Sequence, residues 1–443
     1  MKKIITTAIL FLFAFNFYFL PAYAIVENET TLDKINYAWW QGFGDEYLSD
    51  YILRASKNNH DIKTAALKIE QAKINVTATR ADQLPSLTVA AAPALAKMPG
   101  KTQSEGTFAL PIFAQYELDL FGKNWDKTKS AKKLLKSTQY QEIASDISIV
   151  SLVGSVYYNI VKLDKLIELQ TQLRDDRKII YDLMKASNEE GIASVSDLVL
   201  AEKNYVLSQN DLINLEKSRQ QALSSLAVLV GDSPENINDY KRISYDDLMD
   251  NFDVPETISS EIIVNRPDYK AIEAQLEAAG IDIRVAKKEF LPKIDILGLL
   301  TFIAMSSSGM NWTNSLALLA GSATLPVFTG FRRVANLKFN KNKYEQLGEQ
   351  YQKTNLNAIQ DVNDALYFSK SDKERYINNV HAQNLQNQDF GFANAKYNAG
   401  TISKLDLTQR EEALIYTKQL TVSSKIDCYL DKIGLYKASG AQI

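Results

Sequence analysis

Proline is missing from two long stretches, cysteine occurs once, histidine twice, and neither sign of charge dominates. The chain has no proline from Ile112 to Gly231, nor from Val327 to its last residue, Ile443. Proline is excluded from helix interiors and glycine favours helix ends, so each run is expected to be two long helices meeting at a glycine, Gly191 and Gly400. The 69 residues from Gly122 to Gly191 would reach roughly 100 Å as helix, which excludes a compact globular domain. The lone Cys428 excludes an intrachain disulfide and is expected to be packed. His60 and His381 lie far apart and are expected on solvated faces. With no nucleophile elbow, phosphate loop or metal-ligand cluster, no enzyme, cofactor or metal site is expected. Fifty basic and fifty-three acidic residues give −3, or −5 without Lys2 and Lys3, so no nucleic-acid footprint is visible.

What is present begins with a leader. Lys2 and Lys3 precede an apolar run from Ile4 to Leu20, and Ala22-Tyr23-Ala24 supplies small residues for cleavage, so residues 1–24 are expected to be a signal peptide. Beyond it no stretch is expected to be long and apolar enough to span a membrane as a helix. Membrane residence would then need a β-barrel or surface contact.

After an aromatic cluster at Trp39-Trp40, the stretch Leu48 to Ala81 keeps mostly helical spacing and is rich in alanine. The period changes from 3.6 to 2 at Leu84-Pro85-Ser86-Leu87-Thr88-Val89. Two strands are expected, separated by a turn-rich stretch from Pro93 to Gly106. In the second, Phe108, Leu110, Ile112, Tyr116 and Leu118 alternate with a largely polar set that includes Phe113, Gln115 and Glu117. The following helix carries Ile147, Val150, Gly154, Tyr157 and Val161 at coiled-coil spacing, which predicts packing along a partner helix.

The programme then repeats. Leu291-Pro292-Lys293-Ile294-Asp295-Ile296 matches Leu84 to Val89 at an offset of 207, and Leu325-Pro326-Val327-Phe328 matches Leu118-Asp119-Leu120-Phe121 at the same offset. After a slip of two, Gly191 and Asp197 fall on Gly400 and Asp406. An internal duplication follows: residues 25–231 and 259–443 each read as helix, two strands and a helical hairpin, joined by an acidic connector, 232–258. Four strands cannot close a membrane barrel, for which about eight is the usual minimum, so copies must pool them. Three copies give twelve strands. The uncharged polar density from Asn378 to Asn398 suits a tunnel wall or, equally, a solvated outer face.

The motifs Trp39-Trp40, Leu84-Pro85-Ser86-Leu87, Leu118-Asp119-Leu120-Phe121-Gly122-Lys123, Leu229-Val230-Gly231, Asn265-Arg266-Pro267-Asp268, Leu291-Pro292 and Leu325-Pro326-Val327-Phe328 together resemble the TolC-like outer membrane factors. The likeness covers essentially the whole mature chain and is greatest to the branch serving resistance-nodulation-division efflux pumps. It implies an α+β membrane protein: a homotrimer with a twelve-stranded outer-membrane β-barrel continued by a long α-helical coiled-coil tunnel through the periplasm. It also implies a periplasmic adaptor and an inner-membrane pump as partners, with outer-membrane lipid around the barrel. Many members of that branch carry a lipid-modified cysteine where this chain has Ile25.

The resemblance further implies adaptor docking at the tips, Gly191 with Ile192 and Gly400 with Thr401. Asp197 matches the acidic member of an interhairpin lock and Tyr397 its tyrosine, whereas the locking arginine of some members falls on Ile402. Asp406 matches one aspartate of a pore ring, and the second falls on Gln409. Three Asp406 carboxylates around a pore would attract cations, and their mutual repulsion is expected to raise their pKa values. Asp406 on a solvated face remains the alternative. The function implied is a passive exit duct of a tripartite efflux system. The alternatives are a type I protein-secretion duct of the same fold and a pore-less exported coiled-coil scaffold, which leaves the duplicated strands unexplained.

Overall fold

The computed structural model describes residues 31–96, 105–235, 240–250, 252, 254–255, 257–305 and 314–442, so the leader and Ile25 lie outside the described residues. In chain order come α1 (Thr31–Lys34), α2 (Tyr37–Gln41), α3 (Glu46–Asn58), α4 (His60–Ala81), β1 (Ser86–Val89), β2 (Ala92–Ala96) and β3 (Glu105–Leu118). The first hairpin is α5 (Lys123–Glu189) and α6 (Val195–Val230). Then follow α7 (Glu261–Asn265), α8 (Pro267–Lys288), β4 (Lys293–Met305), β5 (Asn314–Thr324) and the second hairpin, α9 (Arg332–Asn398) with α10 (Lys404–Ala438).

Both proline-free runs are the expected hairpins. α5 and α9 have 67 residues each, about 100 Å of helix. α4 and α8 have 22 each, and their first residues, His60 and Pro267, stand at the offset seen in the motifs. Toward the sheet the helices lie side by side as α4, α5, α8 and α9; toward the tips the order is α6, α5, α10 and α9.

The sheet is antiparallel, with β1 and β2 on one edge, β3 and β4 inside and β5 on the other edge. β1 and β2 share one register on β3, Val89 facing Ile112 and Ala92 facing Ala109. The break between them lies opposite Pro111. A residue's N–H and C=O point the same way in such a ladder, and Pro111 accepts from the Ala90 N–H at 3.0 Å. Its missing N–H therefore falls on this side, and β3 pairs without interruption with β4. Topologically the described residues form four strands, the first one interrupted. Pro93 belongs to β2 and Glu105 opens β3, so the turn between these strands is shorter than the sequence suggested. An edge strand tolerates Pro93 because only one neighbour needs its backbone.

The register sorts the side chains. Leu87, Ala114, Gly298 and Leu319 form one row, and Val89, Ile112, Leu300 and Ala317 the next on the same face. That face is largely apolar, with Tyr116 and Ser315 as its polar members. The opposite face carries Ser86, Gln115, Glu117, Asp295 and Ser322, and near the helices Glu117 binds Lys123 at 2.5 Å and Lys293 at 3.2 Å. Higher up it also bears Phe113, Leu299 and Leu318 in one row.

The main core is a belt around the middle of α5. Ile147, Val150, Tyr157 and Val161 are buried as expected, but against more than a partner helix. They meet Ile35 and Trp40, Leu48 and Ile52 of α3, Leu226 and Val230 of α6, Ile426 and Ile433 of α10, and Tyr240 and Phe252 of the connector. The seam therefore packs into a globular belt and not along a partner helix alone, because the N-terminal segment and connector wrap it. Hydrogen bonds fix the wrapping: Tyr157 donates to Asp45 at 2.6 Å, Tyr436 to the Ile35 carbonyl at 2.5 Å, and Lys425 to the Leu248 carbonyl at 2.7 Å. α5 also corrects the expectation about apolar stretches. It holds an 18-residue window of mean hydropathy 1.3, half of it buried in the protein. Cys428 is buried, and both histidines are exposed.

Candidate functional site at the hairpin tips

The two tips are built alike. Gly191 and Gly400 both have φ of +71°, a left-handed conformation that glycine adopts without a Cβ penalty. In each the third residue after the helix bonds back across the turn, Ile192 N–H to Ser187 O at 2.8 Å and Thr401 N–H to Lys396 O at 2.9 Å. These close the last carbonyls of α5 and α9. The result is two blunt ends with open space around both glycines and with Ile192 82 % exposed.

The aspartates beyond the tips act first as helix caps. Ser194 Oγ accepts from the Asp197 N–H at 3.1 Å and donates to its carboxylate at 2.7 Å. Ser403 and Asp406 do the same, and the Ser403 N–H also donates to Asp406 Oδ2 at 3.1 Å. This reciprocal box starts α10. The hydroxyl and N–H of Ser403 hold the Asp406 carboxyl below the ordinary carboxylate range. In the single chain the direction is thus opposite to the rise expected from a crowded ring. Gln409 is exposed one turn further on, and Ile402 is half-buried.

Among the described residues no hydrogen bond joins Asp197 to Tyr397 within the chain. The Asp197 carboxylate folds back on Ser194, and the Tyr397 ring receives Lys404 Nζ at 5.8 Å from its centroid. Other contacts tie the helices near the tips. Arg410 meets Asp389 at 3.2 Å across α9 and α10, and Arg177 meets Glu412 at 3.5 Å across α5 and α10. Beside that pair, burial and the charges of Glu411 and Glu412 push Asp176 up to about 7. Sequence reasoning missed this acidic group. Its only signal was the doublets Asp175-Asp176 and Glu411-Glu412, whose facing depends on how the hairpins pack.

One motif turns out to be structural. Arg266 is almost fully buried and binds Asp268 at 2.7 Å, Asp361 at 3.0 Å and the Ala438 carbonyl at 2.9 Å. It pins the start of α8 to α9 and to the end of α10. Among the described residues no group of histidine, cysteine or carboxylate side chains is arranged to hold a metal ion.

The profile of the outer membrane efflux protein family matches residues 52–232 and 258–441. The pyoverdine export outer membrane protein OpmQ of Pseudomonas aeruginosa is 25 % identical over 422 residues, covering 91 % of this chain and 86 % of its own. The cation efflux system protein CusC of Escherichia coli is 26 % identical, covering 91 % and 89 %. Among solved structures, the CmeC outer membrane channel of Campylobacter jejuni superposes with a TM-score of 0.84 at 22 % identity, over 95 % of this chain and 90 % of that one. The duplicated hairpins, the amphipathic sheet and these likenesses agree, and the chain belongs to the outer membrane efflux protein family.

Proposed function

We propose that the protein is the outer-membrane exit duct of a tripartite efflux system, passively conducting cargo delivered by an inner-membrane pump through a periplasmic adaptor. The observation that carries this is a sheet with one apolar face and two open edges, set on two helical hairpins of about 100 Å. Such a sheet closes only with copies of itself, and three copies make a twelve-stranded barrel with its apolar face toward lipid. The hairpins then continue the barrel as a tunnel into the periplasm. Residues 25–231 and 259–443 serve as the two repeats, 232–258 as the connector within the belt, and 1–24 as the export signal. The tips at Gly191, Ile192, Gly400 and Thr401 receive the adaptor, and Asp406 lines the periplasmic gate. Asp197 and Tyr397 act there between neighbouring hairpins, since they do not bond within one chain.

Relatives are named for pyoverdine export, toluene efflux and cation efflux, so one architecture serves unlike cargoes. Those names favour efflux over type I protein secretion. Light scattering on the protein in mild detergent tests the reading. The expected mass is that of three chains of 49.8 kDa each, less the leader. A detergent-independent monomer overturns it.

A further inference from the structure

Where the helices meet the sheet, three cationic side chains have no acidic partner among the described residues. Arg80 at the end of α4, and Lys129 and Lys132 on the second and third turns of α5, line a cleft of about 660 Å³ with Leu84 and Trp125. Its size falls within the roughly 300–1,000 Å³ usual for small-ligand clefts. Gln83 forms the floor, its amide donating to Thr128 Oγ1 at 2.7 Å and to the Asn124 carbonyl at 3.3 Å. Trp125 is 65 % exposed and Leu84 61 %. Neighbouring cations are paired, Lys127 with Asp82, Lys133 with Glu277 and Lys123 with Glu117. Among the described residues Arg80, Lys129 and Lys132 have no acidic partner.

The position of the cleft points to its occupant. Lys129 and Lys136 stand fourteen and seven residues before Ile143, so at steps of seven they fall in one heptad row with Ile143, Val150 and Tyr157, and Trp125 and Lys132 share a row with Val153 and Ile160. The cleft therefore lies on the stripe of α5 that the N-terminal segment and connector cover further along, and material packed over the hairpins in this way belongs on the outer side of the proposed duct. Leu84 stands three residues before Leu87, where the apolar face of the sheet begins. An exposed tryptophan and free cations beside an apolar band are what a membrane–water interface selects.

We infer that Arg80, Lys129, Lys132 and Trp125 form a binding site for an anionic phospholipid of the membrane leaflet that faces the helical body. The three cations meet the phosphodiester, Trp125 packs on the glycerol region, and the acyl chains pass Leu84 to lie along the apolar strands. This rests on the outer-membrane reading, and one experiment separates the two. Native mass spectrometry of the full-length protein in mild detergent is run with phosphatidylglycerol and with phosphatidylcholine, each against added inorganic phosphate.

The expected result is retained phosphatidylglycerol, no displacement by phosphate, and weak phosphatidylcholine binding. Arg80→Gln/Lys129→Gln/Lys132→Gln should weaken phosphatidylglycerol roughly a hundredfold at low salt, at about a factor of five per cation. Trp125→Ala should weaken both lipids. All four side chains are exposed, so the variants keep the fold, and the same spectra report the oligomer. A trimer that holds both lipids equally, releases phosphatidylglycerol to phosphate, or ignores the triple change overturns the lipid site alone. A detergent-independent monomer that binds neither lipid overturns both readings.

Discussion

Asp146 has no exposed surface, and neither of its carboxylate oxygens has a hydrogen-bond partner. Glu142, one turn earlier, is engaged by Lys34 at 2.8 Å. Burial pushes Asp146 up to about 7 from an ordinary 3.8, the Glu142 charge adds to the rise, and Lys34 opposes it. A carboxyl with a raised folded-state pKa binds its proton more tightly when folded. Its stabilising effect is complete below about 4 and is lost as the pH climbs to about 7, at a cost on the order of 2–4 kcal/mol. Asp146→Asn should therefore melt close to the parent at pH 4.5 and clearly above it at pH 8, read as Tm in detergent. An equal difference at both pH values would show that Asp146 is not the titrating group. The sequence concealed this residue. It lies one position before Ile147, off the chosen seam, and it is removed from water only in the fold, where Lys34 and Tyr436 come from distant parts of the chain to lie near it.

At the scale of elements, α5 changes neighbours along its length: α4 and α8 toward the sheet, the belt at its middle, and α6 and α10 toward the tips. Its length and its glycine stop were legible because proline and glycine act locally. The break in the first strand was not, because it depends on which side of β3 the missing Pro111 N–H faces. The belt was illegible for a different reason. Trp40 and Gly154 are more than a hundred residues apart, and nothing local states that they touch. A Cβ at Gly154 would lie 2.6 Å from Trp40 Cζ3 and 3.0 Å from Ile433 Cδ1, both in a packed core. Gly154→Ala should cost about 1–3 kcal/mol through overpacking, seen as a lower Tm. Trp40→Leu opens that space, so adding Gly154→Ala to it should cost much less. Additive losses would mean that the two residues do not meet.

The whole molecule gathers its consequences at the proposed gate, where the candidate residues came from resemblance and their local chemistry came from the fold. Ser403 keeps the Asp406 carboxyl below the ordinary range, which opposes the rise that repulsion among three copies around one axis would cause. Gln409, one turn on, adds no second ring of charge. A cation-selective channel is expected, read as the reversal potential in a salt gradient across a planar bilayer. Asp406→Asn removes the charge but keeps a side chain able to accept the Ser403 hydrogen bonds, so selectivity should fall while α10 still begins where it does. Ser403→Ala works the other way. It leaves the charge at neutral pH and the backbone N–H in place but removes the hydroxyl, the larger of the two donors that depress the pKa, and the sign follows: as pH falls, the variant should lose cation selectivity at a higher pH than the parent. Unchanged selectivity in Asp406→Asn would place Asp406 outside the pore, and identical pH profiles for Ser403→Ala and the parent would show that the cap does not govern its charge.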